Sequence, residues 1–285
     1  MTPTPDSPYR EQVVGLLTQH GKERVIAPAL ETALGCRLRV VGGFDTDQLG
    51  TFTRDIARAG SQLEAARRKA QLAIERSGLP FGIGSEGAFG PDPMVGAMPW
   101  NAEVLVFIDA QRGLEVVGEA QGPGLQLDAW ARDWADVVAL AQRVGFPAQQ
   151  LVLGIGPDGT PPLIKGLDSW PTLEAAYAQQ RARSSTGKVW VETDLRAHAN
   201  PTRMAMIGQA AADLAARLQQ QCPCCGTPGF WKVQRLAGLP CAACGAPTRL
   251  TRAWVHRCLR CQHHETRVLA AGTLAAPERC DHCNP

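Results

Sequence analysis

The sequence predicts an α/β fold, a mixed sheet with flanking helices over residues 11–220, followed by a small C-terminal double zinc-ribbon module over 221–285. Three observations carry this. Apolar runs of strand length alternate with amphipathic stretches of helical spacing along the first part of the chain. Nine of the ten cysteines come after residue 221, eight of them in four C-x-x-C pairs. A length of 285 residues fits one domain of about 200 residues and a small second one.

The elements follow in order. Residues 1–10 read as a loose lead-in. Residues 13–18 form an apolar strand, and 21–34 a helix with Pro28 as a kink or a late first turn. Residues 37–41 are a second strand, and 42–60 a polar loop. Ser61 caps a helix to residue 76, with Leu63, Ala66, Ala70 and Ile74 on one stripe. A short strand at 81–85 runs into a Gly/Pro-rich loop at 86–93. Residues 104–109 and 114–120 form a hairpin about Gln111-Arg112-Gly113. A helix is expected at 129–144, a strand at 151–155, a helix at 172–182 and a strand at 188–192. Asn200-Pro201 opens a last helix that carries Met204, Ile207, Ala211, Leu214 and Leu218 at helical spacing.

The cysteine pairs are Cys222/Cys225, Cys241/Cys244, Cys258/Cys261 and Cys280/Cys283, separated by 15, 13 and 18 residues. Each pair lets two thiolates of one tight turn face a tetrahedral ion, so four pairs make two structural Zn²⁺ sites. Three pairings are open. The nested one is favoured, the middle pairs flanking a β-like stretch at 248–256 and the outer pairs closing the base. Cys224 is left over, and His256, His263, His264 and His282 read as surface residues. Residues 222–285 carry 8 Lys/Arg against 3 Asp/Glu, whereas 1–221 carry 21 against 24. Eight thiolates and two Zn²⁺ would absorb most of that basic excess. Trp231, Lys232, Arg235, Arg249, Arg252, Trp254, Arg257 and Arg260 offer a basic-aromatic face for nucleic acid, or else the tryptophans fill a small core. No apolar run reaches the ~18–20 residues of a membrane span, and the N-terminus lacks a signal-peptide pattern, so a cytoplasmic protein is expected.

Several stretches carry more polar residues than a packed core needs. Thr18, His20 and Lys22 lie at a strand end running into a helix, a setting that suits phosphate. Glu64 and Lys69 lie on the helix capped by Ser61. Glu86 ends the short strand before the glycine-rich stretch, and Arg196, His198 and Arg203 precede or open the last helix. Asp194 could pair with Arg196 or Arg203 and turn the group into a structural latch, but one carboxylate cannot neutralise two arginines, so an anion site is favoured over the latch.

In this order the stretches resemble the inosine triphosphate pyrophosphatase-like superfamily of house-cleaning nucleotide hydrolases. Thr18, His20 and Lys22 stand at its Thr-x-Asn-x-x-Lys turn, Glu64, Ala66, Lys69 and Ala70 at its Glu-Asn-Ala-x-x-Lys-Ala helix, and Glu86-Gly87 at its acidic turn. His20 replaces an Asn, Lys22 comes one residue early, Ala65 replaces a second Asn, and Glu86 replaces an Asp. With the Arg-Ala-His-x-Asn-Pro-Thr-Arg-Met segment and the cysteine tail, the whole also looks similar to an uncharacterised bacterial family, a domain of unknown function. The first resemblance implies an inosine triphosphate pyrophosphatase-like sheet and Mg²⁺-dependent hydrolysis of a nucleotide phosphoanhydride. Glu64 and Glu86 would hold the metal, Lys22 and Lys69 would neutralise developing charge, and Arg196, His198 and Arg203 would bind a base or phosphate. The alternatives are an adaptor that binds nucleic acid or protein through the zinc module, and an enzyme that modifies RNA or nucleosides.

Overall fold

The computed structural model describes residues 7–43, 60–157 and 163–285; the polar loop expected at 42–60 falls largely outside them. The chain divides into two compact units, residues 1–215 and 216–285.

Unit 1 contains two sheets. In the first, the strands β1 (Val13–Leu17), β2 (Arg37–Val41), β3 (Phe81–Pro91), β4 (Pro99–Asp109) and β5 (Leu114–Pro123) lie in the order β2-β1-β3-β4-β5. β1 is parallel to both β2 and β3. Parallel neighbours need crossover connections, and the helices α1 (Glu23–Leu34) and α2 (Gln62–Ser77) make them. The first crossover steps one way from β1 and the second returns past it to β3. Right-handed crossovers in opposite directions put α1 and α2 on opposite faces, and the reversal opens at the carboxyl end of β1.

α2 begins with a reciprocal cap. The Glu64 backbone N–H donates to Ser61 Oγ at 3.2 Å, and the Ser61 N–H donates to Glu64 Oε2 at 2.6 Å. Its buried Ala66 and Ala70 pack with Val106 of β4. The helix lies on the bare backbone of β3. A Cβ at Gly82 would collide with Ala70 O, and one at Gly84 with Ala66 O. These glycines therefore serve close packing. The stretch from Glu86 to Pro91, expected as a loop from its glycine and proline content, instead continues β3. Its pairing with β4 runs unbroken from Phe81↔Asp109 to Pro91↔Pro99. The lead-in is also tighter than expected. Tyr9 is buried edge-on to Phe81 and Phe107, and its hydroxyl donates to Asp109 Oδ2 at 3.3 Å.

The second sheet holds β6 (Asp128–Ala131), β7 (Leu151–Gly154), β8 (Ile164–Leu167) and β9 (Val189–Thr193), antiparallel in the order β6-β9-β7-β8. Two helices, α3 (Trp134–Val144) and α4 (Trp170–Arg183), share its core of Val137, Ala141, Leu151, Leu153, Leu173, Val189 and Val191. The helix expected at 129–144 starts late. Asp133 caps it by accepting from the Asp136 N–H at 3.0 Å, and the residues before the cap belong to β6. After β9 the chain enters α5 (Pro201–Gln219), which packs on β5 where Gly118 lies against Leu214 and the Ala210 carbonyl.

Unit 2 is a three-stranded antiparallel sheet of β10 (Trp231–Ala237), β11 (Thr251–Arg257) and β12 (His264–Val268), with β11 in the centre. Among the described residues no helix is long and apolar enough to cross a membrane.

Candidate functional site

At the carboxyl end of β1, β3 runs on past its partner. Side chains from both faces of the sheet come close there. On the α2 face, even-numbered residues of β3 look toward the helix, and Lys69 Nζ meets Glu86 Oε2 at 2.6 Å with both side chains buried. On the opposite face Lys22, the residue that precedes α1, donates from Nζ to Ser85 O and Ser85 Oγ at 3.3 Å each. Beside it Arg203 of α5, buried to 2% exposure, holds Glu103 of β4 at 2.7 Å and the Leu195 carbonyl at 2.6 Å. Gly87 makes room for that pair, because a Cβ there would collide with Glu103 Oε1 and press on Arg203 Nη2. Asn101 donates to Glu103 Oε1 at 3.1 Å and to Ala88 O at 3.2 Å. Asn101 Oδ1 and Glu103 Oε2 are buried acceptors with no partner among the described residues.

Among the described residues the cluster thus buries three cations, Lys22, Lys69 and Arg203, against two carboxylates, Glu86 and Glu103. Lys22 bears the imbalance. Its hydrogen-bond partners are uncharged, and burial, reinforced by the nearby charges of Arg203 and Lys69, lowers its pKa to about 7. A buried site with surplus positive charge at a sheet's switch point is suited to an anion.

The other residues expected at the site are placed as follows. Thr18 turns its hydroxyl onto the Gln19 carbonyl at 2.9 Å. His20 takes a positive φ of 58° and stacks on His198 with ring centroids 4.9 Å apart, so the turn after β1 meets the segment before α5. Glu64 does not join Glu86. It is exposed and occupied by the α2 cap. At 100° per residue it lies about 140° around the helix from Lys69. A metal held between Glu64 and Glu86 does not fit this arrangement, since one carboxylate caps a helix and the other is engaged by Lys69. Arg196 is bound by Asp194 through Nε at 3.0 Å and Nη2 at 2.6 Å, the latch the sequence allowed. Arg203 is engaged by Glu103, a carboxylate 100 positions away in sequence. The Arg203 N–H donates to Asn200 Oδ1 at 2.9 Å, so part of the α5 N-terminus is already capped. Sequence reasoning missed Glu103 and Asn101. A signal was present: Asn101 and Glu103 fall in the alternation that buries Leu105 and Phe107 of β4.

In unit 2 the eight paired cysteines form two groups, Cys222, Cys225, Cys258 and Cys261 in one, Cys241, Cys244, Cys280 and Cys283 in the other, each with its ligand atoms within 4.8 Å. The pairing is interleaved rather than nested, and strand parity explains it. Successive turns of an antiparallel meander alternate ends. The first and third knuckles therefore meet at one end of the sheet, the second and fourth at the other. Nesting would ask knuckles at opposite ends of β11 to share an ion across roughly 20 Å. A Zn–S bond of about 2.3 Å implies sulfurs about 3.8 Å apart on a tetrahedron. The Sγ–Sγ distances are 3.6 Å for Cys222–Cys261 and Cys225–Cys258, 3.9 Å for Cys241–Cys283 and 3.7 Å for Cys244–Cys280. The residues fit two zinc ions, and all of these thiols are free of disulfides.

Three of the knuckles share one local build. In these the N–H of the residue after the second cysteine closes on the first cysteine's carbonyl, Gly226→Cys222, Gly245→Cys241 and Asn284→Cys280, at 2.8, 3.0 and 2.9 Å, whereas at the Cys258/Cys261 knuckle the Cys258 N–H donates to His263 O at 2.8 Å. Backbone N–H groups of Ala243, Arg260 and Cys261 donate to thiolate sulfurs at 3.3–3.4 Å. Cys224 is exposed and belongs to neither group. His256, expected on the surface, is buried beside Phe230, with ring centroids 5.8 Å apart.

A family model described as a domain of unknown function (DUF6671) matches residues 69–285. The match takes in Lys69, Glu86, Glu103, Arg203 and all eight ligand cysteines, and it starts after β1 and Lys22. No curated protein and no solved structure matches the chain.

Proposed function

For a chain that belongs to the DUF6671 family, we propose that unit 1 binds a phosphorylated small molecule, a nucleotide above all, and hydrolyses its phosphoanhydride, while unit 2 holds two structural zinc ions. The observation that carries this is the surplus buried cation among the described residues at the carboxyl end of β1, where Lys22 feels the charges of Arg203 and Lys69 and its own hydrogen-bond partners there are uncharged. A bound phosphate would supply the missing negative charge. Lys22 and Lys69 would stabilise charge developing on the transferred phosphoryl oxygens. Glu86, which pairs with Lys69, would accept a proton from an attacking water. The likeness to inosine triphosphate pyrophosphatases supports the same reading through Lys22, Lys69 and Glu86. No step is assigned to a magnesium ion held by Glu64.

The test is release of phosphate or pyrophosphate from a panel of magnesium nucleotides by the zinc-loaded chain. Lys22→Met is the cleaner variant, because it removes a charge that burial disfavours. It should keep the fold and lose turnover by about 100-fold or more, the scale of one electrostatic stabiliser. Glu86→Gln strands a buried Lys69 charge and should cost roughly 3–5 kcal/mol of stability, so its turnover is read on the folded fraction. No release from any nucleotide by the parent chain would end the hydrolase reading. The second reading is a ligand-binding domain without turnover, and it draws on Glu86 being engaged by Lys69 already. Nucleotide binding that Lys22→Met weakens, with no hydrolysis, would establish it.

A further inference from the structure

We propose that the sheet of unit 2 is a docking surface for a single-stranded nucleic acid, with Trp254 as the stacking platform and Lys232, Arg235, Arg252 and Arg267 as phosphate contacts. Pairing across the strands builds the surface. Arg235 of β10 and Arg267 of β12 both stand opposite Trp254 of β11, so the three share one face. Lys232 stands opposite His256, two positions along the same face, and Arg252, the extra residue at the β11 bulge, is exposed two positions from Trp254 in the other direction. All four cations are exposed and Trp254 is half-buried. Lys232 Nζ lies 5.4 Å from both the Trp231 and Trp254 ring centroids.

Charge complementarity selects the partner. This face carries four cations and one carboxylate, Glu265, which pairs with Arg267 at 3.2 Å. Asp281 is paired off the strands with Arg249 at 2.8 Å. Each filled four-thiolate site is formally −2, and the two sites lie at opposite ends of the sheet. The positive charge is thereby concentrated along the middle of the strands. A polyanion laid there would meet cations spaced along β10, β11 and β12. A flat aromatic ring among them offers what a folded acidic protein surface does not use, a π-face for an unstacked base. A base pair inside a duplex cannot present that face, so a single strand is the partner that fits.

The experiment measures fluorescence anisotropy of a labelled twelve-residue oligouridylate with the full, zinc-loaded chain. With three or four phosphates neutralised, affinity should fall about 20- to 50-fold between 50 and 200 mM salt. Arg235→Ala and Arg252→Ala should each lower the salt dependence by about one phosphate contact. Trp254→Ala should weaken binding by about tenfold and Trp254→Phe by much less, since a ring is retained. Zinc content, two ions per chain, confirms that each variant is folded. The proposal is overturned by any of three results: no binding at 50 mM salt, a twelve-base-pair duplex binding as tightly as the single strand, or a folded Arg235→Glu/Arg252→Glu variant binding within twofold of the parent. Binding of an acidic protein in place of the oligonucleotide would assign the face to a protein partner and likewise overturn it.

Discussion

Lys22 concentrates the chemistry of unit 1 in a single titration. Burial and two neighbouring cations lower its pKa from 10.5 to about 7. Between the folded and unfolded values the unfolded chain binds the extra proton, so stability rises with pH across that window and is lowest where Lys22 is charged in the fold. An anion reverses the preference, because it favours the protonated amine. Sulfate, which does not titrate in this range, should therefore bind most tightly below pH 7. Above it, affinity should weaken by up to about tenfold per unit. Calorimetry across pH 6–9 checks this. Lys22→Met should flatten the profile, and a parent profile already flat would show that the anion does not meet Lys22. Sequence made Lys22 visible, since a lysine between a strand end and a helix has a recognisable setting. It hid the partners of Arg203. One carboxylate, Asp194, was in view for two arginines, whereas Glu103 arrives through β4 from far along the chain. Long-range pairing of that kind leaves no local pattern. Glu64 misled for the opposite reason: a Ser-x-x-Glu spacing is a capping signature as well as a motif fragment, and the cap takes the side chain.

At the scale of elements, the lesson lies in how glycine reads. The run from Glu86 to Pro91 reads as a loop by composition, yet it continues the strand Phe81–Pro91 that carries Glu86. Ala66 and Ala70 on α2 face Gly84 and Gly82 on β3, and small residues on both sides bring helix and strand backbones together. That approach sets how far Lys69 stands from Glu86. Gly84→Ala would place a methyl against Ala66 O and Lys69 Cβ, where yielding means moving the helix backbone. The expected loss is about 1–3 kcal/mol, the usual cost of overpacking. Denaturant titration measures it, and an unchanged midpoint would show that α2 shifts freely. α2 and α5 were legible because their apolar faces repeat at 3.6 residues, and β1 because its short apolar run, buried almost throughout, has strand length. β6 and β8 were not. Each has only four residues, too few for a period, and β6 adjoins a helix whose pattern absorbs it. The metal ligands were fully legible from spacing, but their pairing was not. It depends on which end of the sheet each knuckle occupies, and only the strand order fixes that.

At the scale of the whole molecule, the two units draw their stability from different sources. Unit 1 buries extended apolar cores, including the β7, β9, α3 and α4 cluster. In unit 2 the buried apolar side chains other than cysteines are Leu218, Phe230, Leu239, Ala253 and Ala275, too few to hold a sheet against chain entropy. Two filled zinc sites would supply the difference, since a structural zinc site releases about 10–16 kcal/mol on binding in small modules. Removing zinc with a chelator under reducing conditions should therefore unfold unit 2 and leave unit 1 folded. Hydrogen exchange resolves the two directly: protection should vanish across β10, β11 and β12 and persist at Leu16, Ile83 and Val106. Cys241→Ser should leave one ion per chain, because the site at the other end of the sheet keeps all four of its sulfurs. Its protection should be lost first where β10 ends and β11 begins, the end that site anchors. Cys224→Ser should keep both ions. Full protection of β10–β12 in the chelated protein would mean that the sheet stands on its own packing, and the zinc ions would then have to be ligands of a fold that does not depend on them.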